Sequence, residues 1–240
     1  MHLGCKTAMS FLFSFLLLAS CGENSNKEIP LPTDKEENEN NGNDVPTGAY
    51  NELYRPQIHY TPAKNWINDP NGMVYADGVY HLFYQYNPKG NDWGNLSWGH
   101  ATSANLIEWK EQPVALEPDN LGMIFSGSAV CDTENTAGFG KGAIVALYTS
   151  AGSHQQQSMA YSTDGGKSFV KYDKNPVIPN SSESDFRDPK VVWHKETNQW
   201  IMALAKGWKY EIEFWGSSDL KKWTKLSSFS TSVNACNKGQ

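Results

Sequence analysis

Short hydrophobic runs alternate with clusters of Gly, Asn, Asp and Pro along the chain from Tyr50 onward. Three of the runs, at 78–86, 143–149 and 200–205, are rich in aromatic and β-branched residues and have the length and alternation of strands. No segment sustains the 3.6-residue period of a helix. The pattern therefore predicts an all-β protein.

A weak internal repeat sharpens this prediction. In each copy a strand ends in Ser, a polar turn follows, and an aromatic residue opens the next strand. The copies lie at 101–109, 160–169 and 215–223. Their aromatic residues Trp109, Phe169 and Trp223 are 60 and 54 residues apart. Repeats of about 40 to 50 residues or slightly more, each a four-stranded unit, are typical of β-propeller blades. Independent hairpins in a β-sandwich are the alternative.

The number of blades is set by the length of the repeat region. Residues 50–240 provide 191 positions, which is enough for three to four units of this size. A closed propeller needs about four to eight blades. The sequence therefore predicts an incomplete propeller with an open edge.

The first 21 residues resemble an export signal rather than part of a folded domain. A basic start is followed by an apolar run over 9–18 that is too short to span a bilayer as a helix. The run closes with Leu-Ala-Ser and Cys21, a sequence similar to the bacterial lipobox, in which the cysteine is lipidated. We expect an exported lipoprotein, anchored through Cys21 to the cell envelope at the outer membrane or cell surface. An ordinary signal peptide with an incidental cysteine is the alternative.

Residues 22–49 are predicted to be a disordered acidic tether, because they contain almost nothing apolar to bury. Seven acidic residues against two lysines place −5 of the chain's net charge of −6 in this segment. The remaining domain, 50–240, is nearly neutral, which argues against nucleic acid as a partner. Contact with a membrane is expected only through the lipid anchor. The spacing of Cys131 and Cys236 fits no metal motif, and no cofactor is indicated.

Two Asp-Pro steps are the main chemical signal. Asp69-Pro70 lies in the segment 66–72, flanked by Trp and Asn, and Asp188-Pro189 follows Phe and Arg in 186–190. Proline restricts the preceding residue to extended conformations, so each carboxylate should be held in a set direction at a strand end or turn. A pair of rigid carboxylates suits cleavage of a glycosidic bond. Alternatively, Asn-Asp-Pro-Asn-Gly is merely a good turn sequence.

The two motifs, Trp-Ile-Asn-Asp-Pro-Asn-Gly and Phe-Arg-Asp-Pro, resemble those of family 32 glycoside hydrolases, which include invertases, inulinases and levanases. The resemblance runs from about Tyr54 to about Phe229. It implies a five-bladed propeller with the site in the axial funnel and, usually, a β-sandwich behind it. In this chain we expect about three to four blades and no C-terminal sandwich.

The resemblance implies roles for four residues of the two motifs. Asp69 would be the nucleophile that attacks the anomeric carbon of fructose, with Asn68 orienting it. Asp188 would bind two fructose hydroxyls and stabilise the cation-like transition state, with Arg187 beside it. Arg187 could instead be a satisfied structural ion pair.

Four further residues match sugar-contacting positions of the family. Gln85 would contact the ring, Trp93 would form an apolar wall, and Phe125 and Ser126 would form another contacting pair. Planar amides and aromatic faces suit sugar hydroxyls and C–H surfaces. The alternatives are that Gln85 faces solvent on its strand, that Trp93 is a core aromatic, and that Phe125 is structural.

The retaining mechanism also needs a general acid about 5 Å from the nucleophile. In the family this is the glutamate of a Trp-Glu-Cys-Pro motif roughly fifty residues beyond Arg-Asp-Pro, and no such motif occurs in the 52 residues after Asp188. Glu211 and Glu213 alternate with apolar residues and are predicted to face solvent. Glu183 lies in a Ser-rich loop. The role is assigned to none of them, so the chain is expected to be a truncated or frameshifted member with little or no turnover.

The predicted function is cleavage of β-fructofuranosyl bonds in fructans or sucrose by a retaining mechanism, impaired by the missing acid. The alternatives are a cell-surface lipoprotein that binds fructan without cutting it and a non-functional remnant. A different five-bladed enzyme acting on arabinose polymers is disfavoured by the two motifs. The sequence leaves open the preference for β-2,1 or β-2,6 linkages, exo or endo action, and the oligomeric state.

Overall fold

The computed structural model describes residue 50 and the ranges 52–182 and 185–230. The predicted signal peptide with Cys21, the tether, Glu183 and Cys236 lie outside the described residues. Within the described ranges, twelve strands and one short 3-10 helix (Gly207–Lys209) are present. The strands are β1 (Ile67–Ala76), β2 (Val79–Tyr86), β3 (Ser97–Ser103), β4 (Trp109–Leu116), β5 (Met123–Asp132), β6 (Ala143–Ala151), β7 (Gln155–Ser162), β8 (Val170–Lys171), β9 (Phe186–His194), β10 (Gln199–Lys206), β11 (Glu211–Ser217) and β12 (Thr224–Ser230).

The strands form three four-stranded antiparallel sheets, each made of four consecutive strands: β1–β4, β5–β8 and β9–β12. We call these sheets blades 1, 2 and 3. The first strand of blade 2, β5, contacts both β1 and β9, so the three first strands lie side by side around a common axis. The sheets do not close into a ring. This confirms the predicted all-β, incomplete propeller at the lower end of the expected three to four blades.

The predicted repeat is a structural repeat. Ser103, Ser162 and Ser217 end the third strand of blades 1, 2 and 3. Each hydroxyl donates to the side-chain oxygen of Asn or Asp two residues later, at 3.2, 2.7 and 3.1 Å respectively. This local bond stabilises a turn of the same kind before each fourth strand. The alternative of unrelated hairpins is therefore wrong.

Two hydrophobic clusters fill the spaces between neighbouring blades. The strand β6 contributes to both clusters, and its residues Ala143–Ser150 are all buried. Ile144 and Tyr148 belong to the cluster shared with blade 1, whereas Val145 and Leu147 belong to the cluster shared with blade 3. Successive side chains of a strand point to opposite faces. A strand covered on both faces therefore reads as a continuous apolar run.

A buried histidine pair lies inside blade 1. His81 Nδ1 is 3.0 Å from His100 Nε2, and the ring of Phe83 stacks on His100 with centroids 4.5 Å apart. Burial lowers the pKa of His100 to about 3, and it lowers the pKa of His81 as well. Both rings are therefore neutral at neutral pH, one donating its N–H to the other.

The prediction that both glutamates of β11 face solvent is wrong for Glu213, whose exposed fraction is 2%, while Ile212 is 43% exposed. Lys206 and Lys225, on the two flanking strands, each place Nζ 2.6 Å from Glu213 Oε1. Burial opposes ionisation of Glu213, but hydrogen bonds from the two lysines outweigh it and hold its pKa below the usual value. Burial is tolerated because the charge is paired. Glu211 is half-buried, 3.7 Å from Lys225.

In the part of the chain that the structure describes, no helix is long and apolar enough to cross a membrane. The same residues contain no group of three His, Cys, Asp or Glu side chains that could hold a metal ion.

Candidate active site

The first strand of every blade carries a β-bulge near its start. The strand pairing slips between Ile67 and Pro70 in β1, between Phe125 and Gly127 in β5, and opposite Leu204 in β9. The residues at the three bulges are Asn68 and Asp69, Ser126, and Asp188 and Pro189. A bulge turns side chains away from the regular alternation of the strand. Asn-Asp-Pro-Asn-Gly is therefore part of a bulged strand, not the hairpin turn of the alternative interpretation.

The bulges meet at a cavity of about 590 Å³. The structure brings all eight predicted site residues to this cavity: Asn68, Asp69, Gln85, Trp93, Phe125, Ser126, Arg187 and Asp188. Five further residues, none of them predicted, also line the cavity: Trp66, Leu96, Asp185, Ala205 and Gly207. A second cavity of about 560 Å³ lies against the first, and Asp69, Ser126 and Asp188 line both.

The side chain of Asp69 is held from the neighbouring blade. Ser126 Oγ donates to Asp69 Oδ2 at 3.0 Å, and this bond joins the bulges of blades 1 and 2. The Asp69 N–H donates to the side-chain oxygen of Asn68. Asn71 Nδ2 donates to the Asp69 carbonyl at 3.2 Å. The carboxylate thus has a set direction but stays exposed to the cavity, as an attacking group requires.

Asp188 is held through its backbone. Its φ is +62°, so the prediction of an extended conformation before Pro189 is wrong, because the bulge places the residue in the left-handed region. Its N–H donates to Thr149 Oγ1 of blade 2 at 3.2 Å. This backbone geometry directs the side chain of Asp188 into the cavity.

The carboxylate of Asp188 faces charges of both signs. Burial raises the pKa of Asp188. The Arg187 guanidinium, whose Nε is 3.7 Å from Asp188 Oδ2, lowers it in part. The negative charges of Asp69 and Asp185 raise it further, and the net shift is upward. Arg187 also forms an ion pair with Asp185 at 3.2 Å, as the alternative interpretation expected. Arg187 lines the cavity at the same time.

Gln85 presents an unmet hydrogen-bonding group. Its exposed fraction is 3%, so the alternative of a solvent-facing residue is wrong. Its Nε2 has no hydrogen-bond partner among the residues that the structure describes. A buried donor left unpaired costs about 1–3 kcal/mol, which a hydroxyl of a bound molecule can recover.

Trp93 and Phe125 supply apolar surface to the cavity. Trp93 is 60% exposed in the loop between β2 and β3, so it is not a core aromatic. Asn87 supports this loop, since its Nδ2 donates to the Asp92 carbonyl at 2.7 Å and its Oδ1 accepts the Lys89 N–H at 2.9 Å. Phe125 is half-buried, and its carbonyl accepts a bond from a neighbouring blade.

Sequence reasoning missed Asp185, which lines the cavity two residues before Arg187. Strand alternation could not have indicated it, because Asp185 has a φ of +52° and both Arg187 and Asp188 line the same cavity. Gly207 was also missed; its N–H donates to the Asp185 carbonyl at 3.1 Å, a contact between segments that no local pattern shows. Apart from Asp69 and Asp188, Asp185 is the one carboxyl among the described residues that lines this cavity.

The arrangement combines oriented carboxylates, a free amide donor and exposed aromatic surface. Carboxylates and amides bind sugar hydroxyls, and aromatic faces pack against the apolar face of a sugar ring. The cavity therefore suits a small polyhydroxylated ring.

Comparison with known proteins agrees with this chemistry. Residues 59–238 match the model of the glycosyl hydrolases family 32 N-terminal domain, reaching somewhat beyond Phe229. The chain is 54% identical over 184 residues to a levanase of Bacillus subtilis, covering 75% of this chain and 27% of the levanase. It is 45% identical over 209 residues to an extracellular exo-inulinase of Aspergillus niger, covering 75% of this chain and 39% of that enzyme.

Solved structures give the same result. The exo-inulinase of Aspergillus awamori has a TM-score of 0.71 at 43% identity, over 76% of this chain and 41% of that one. The fructofuranosidase of Schwanniomyces occidentalis complexed with fructose has a TM-score of 0.71 at 47% identity, over 78% and 38%. The chain spans about 27% to 39% of the length of the two curated relatives. Since the family model matches three-quarters of the sequence, the chain belongs to family 32 of the glycosyl hydrolases.

Proposed function

We propose that the protein binds a terminal fructosyl unit of a fructan or of sucrose and acts on its β-fructofuranosyl bond by a retaining mechanism. The observation that carries this proposal is the convergence of Asp69, Asp188 and the unpaired Gln85 amide on one cavity. The relatives, which are a levanase, an exo-inulinase and an invertase, support the substrate class.

Asp69 is the proposed nucleophile. Its carboxylate attacks the anomeric carbon as the glycosidic C–O bond breaks, and the leaving oxygen takes its proton from water. Water then hydrolyses the covalent fructosyl intermediate with retention, which frees the Asp69 carboxylate. Ser126 holds the attacking group in place from across the blade boundary, and Asn68 restrains its backbone.

Asp188 is the proposed stabiliser of the cation-like transition state, with Arg187 beside it. The carboxylate of Asp188 accepts bonds from two fructose hydroxyls, which strengthen as positive charge develops on the ring. Gln85 donates to a third polar group of the sugar. Trp93 and Phe125 flank its apolar surface.

No described residue takes the role of general acid in this proposal. Asp185 is engaged by Arg187, and Glu213 is held ionised by two lysines. Without proton donation to the leaving oxygen, a rate loss of about 10²–10⁴-fold is expected. We therefore expect binding of the fructosyl unit and slow turnover.

Export and lipid attachment at Cys21 complete the proposal. The lipobox-like sequence supports a protein held at the cell envelope, where extracellular polysaccharide is accessible. Labelling of the full chain with radioactive palmitate in a bacterial host should be lost in Cys21→Ser. Equal labelling of this variant would refute the anchor without affecting the sugar site.

The main test uses residues 22–240, assayed for fructose release from sucrose, inulin and levan, with Asp69→Ala as the inactive control. Slow release that depends on Asp69 is expected. Release at rates typical of glycosidases would overturn the impairment. Absence of both release and binding by calorimetry would overturn the proposed function.

The second candidate function is fructan binding without cleavage. It is favoured by the same cavity, in which Gln85 and Asp188 can hold a sugar without a proton donor. Saturable binding of levan oligosaccharides with no Asp69-dependent release would establish it.

A further inference from the structure

Two buried side chains occupy the same position of the structural repeat. Trp98 and Gln157 each lie on the third strand of a blade, five residues before the Ser that ends it (Ser103 and Ser162). Both are fully buried. One is aromatic and the other is an amide, so the sequence repeat does not show their equivalence.

Both side chains use an N–H group to cross into the next blade. Trp98 Nε1 of blade 1 donates to the Phe125 carbonyl of blade 2 at 3.0 Å. Gln157 Nε2 of blade 2 donates to the Phe186 carbonyl of blade 3 at 2.7 Å. Each acceptor directly precedes a residue that lines the cavity. The bond therefore holds the strand at the start of its bulge.

In blade 3 a second bond extends this contact to Asp188. Thr149 Oγ1 donates to Gln157 Oε1 at 2.8 Å and accepts the Asp188 N–H at 3.2 Å. Gln157 thus contacts the strand before the bulge directly, at the Phe186 carbonyl, and contacts the bulge itself indirectly, because Thr149 links it to the Asp188 N–H. A non-Gly residue in the left-handed region needs such support, because this conformation costs of order 1–3 kcal/mol.

We propose that Gln157 and Thr149 are positioning residues that set the direction of the Asp188 carboxylate, and that Trp98 does the same for Ser126. The bulges of blades 2 and 3 are then each directed by the preceding blade, not only by the strand that carries them. This inference rests on the proposed function in one respect, which is that the molecule bound in the cavity is a fructosyl unit.

The test compares two substitutions at Thr149 in the full chain. Thr149→Val keeps the shape but removes the hydroxyl, whereas Thr149→Ser keeps the hydroxyl. The control is Ser150→Ala, which removes the 2.8 Å bond between the equally buried Ser150 and Ser158 on the same two strands. Thermal melting reports the stability of each variant.

The first readout is hydrogen exchange of the Asp188 amide by NMR, which needs no sugar. We expect this exchange to be about 5- to 10-fold faster in Thr149→Val than in the parent protein, the range for losing one neutral hydrogen bond. Thr149→Ser and Ser150→Ala should change it less than about twofold. The second readout is affinity for fructose by calorimetry, which should fall by a similar factor in Thr149→Val alone.

A merely structural role predicts a different result. Thr149→Val and Ser150→Ala would then lower the melting temperature alike and leave both Asp188 exchange and fructose affinity unchanged, which would overturn the proposal. Accelerated Asp188 exchange with unchanged affinity would also overturn it. If the parent protein does not bind fructose, the proposed function fails, and hydrogen exchange of the Asp188 amide still decides the positioning role.

If Thr149→Val does not fold, Gln157→Glu provides the second variant. It keeps the acceptor for Thr149 and loses the amide donor to the Phe186 carbonyl, so exchange at Asp188 should be faster than in the parent protein. Unchanged Asp188 exchange and affinity in this variant would count against the proposal.

Discussion

The two Asp-Pro segments place their aspartates on one cavity by different means. In 66–72 the Asp69 side chain itself is held, through the hydroxyl of Ser126. In 186–190 the backbone of Asp188 is held, through Thr149, and its carboxylate stays free beside Arg187. An attacking oxygen needs a set direction, whereas a group that grips hydroxyls needs free lone pairs. The two modes of support therefore suit the different roles proposed for Asp69 and Asp188.

The blades that carry or support the two segments also differ in their buried polar side chains. Blade 1, which carries Asp69, contains the buried His81 and His100 pair. Blade 2, which supports Asp188, contains the Thr149 and Gln157 pair, whose side chains do not titrate. Acid should therefore act on blade 1, through its histidines, and leave the Thr149 and Gln157 pair unchanged.

The largest expected effect separates the two aspartates. Asp188→Asn should weaken fructose binding about 10- to 100-fold, since a hydrogen bond to a charged group is worth about 1.5–3 kcal/mol. Asp69→Asn should change affinity less than about threefold and abolish fructose release. Calorimetry and release assays on both variants check this, and equal loss of affinity in the two would break the comparison.

The next effect concerns stability in acid. An unfolded histidine has a pKa near 6.5, while His100 has a pKa of about 3 in the fold, so the unfolded state binds more protons between these values. Stability should be complete above about pH 6.5 and fall with decreasing pH, by at most about 1.4 kcal/mol per pH unit for this one group. His100→Gln should be less stable at pH 7.5 but show a flatter dependence down to pH 4.

Urea unfolding at several pH values measures this slope. The control is His154→Gln, at an exposed histidine outside the pair, which should keep the slope of the parent protein. An unchanged slope in His100→Gln would show that another group controls acid stability.

A smaller effect tests the hold on Asp69. Ser126→Ala removes the donor at 3.0 Å and should slow Asp69-dependent fructose release about 3- to 10-fold, in line with the loss of one hydrogen bond. Ser168→Ala, in an exposed turn, should leave release unchanged. Release equal to that of the parent protein in Ser126→Ala would mean that Asp69 is directed by its own strand.

The smallest effect tests the charge beside Asp188. Arg187→Gln removes the guanidinium that favours the ionised carboxylate, so the pKa of Asp188, already raised by burial, should rise further. Fructose binding should then be lost at a higher pH on acidification. Carbon-13 NMR of the Asp188 carboxyl follows the titration, with Lys190→Gln as the control at a nearby exposed cation. A lower midpoint would contradict the assignment of this contact.

Much of the fold follows from local pattern. Strand alternation and the Ser turns predict the blades because each depends on residues a few positions apart. The eight residues at the cavity were predicted because the short motifs that contain them resemble those of family 32. The proposed sugar chemistry therefore follows from the sequence.

The features that escaped prediction depend on contacts between distant segments. Asp188 has a positive φ, and its N–H donates to Thr149 Oγ1 of blade 2, which lies 39 positions earlier in the sequence. Glu213 is buried because two flanking strands each supply a lysine. Trp98 and Gln157 occupy the same position of the repeat and make the same kind of hydrogen bond, but they are different residue types. Periodicity within one strand contains no information about such partners.

Asp69, Ser126 and Asp188 line both neighbouring cavities, so these three side chains form part of the wall between them. Ser126→Gly removes one of these side chains, and we expect the two cavities then to join. Water would reach Asp69, the proposed nucleophile, from both cavities.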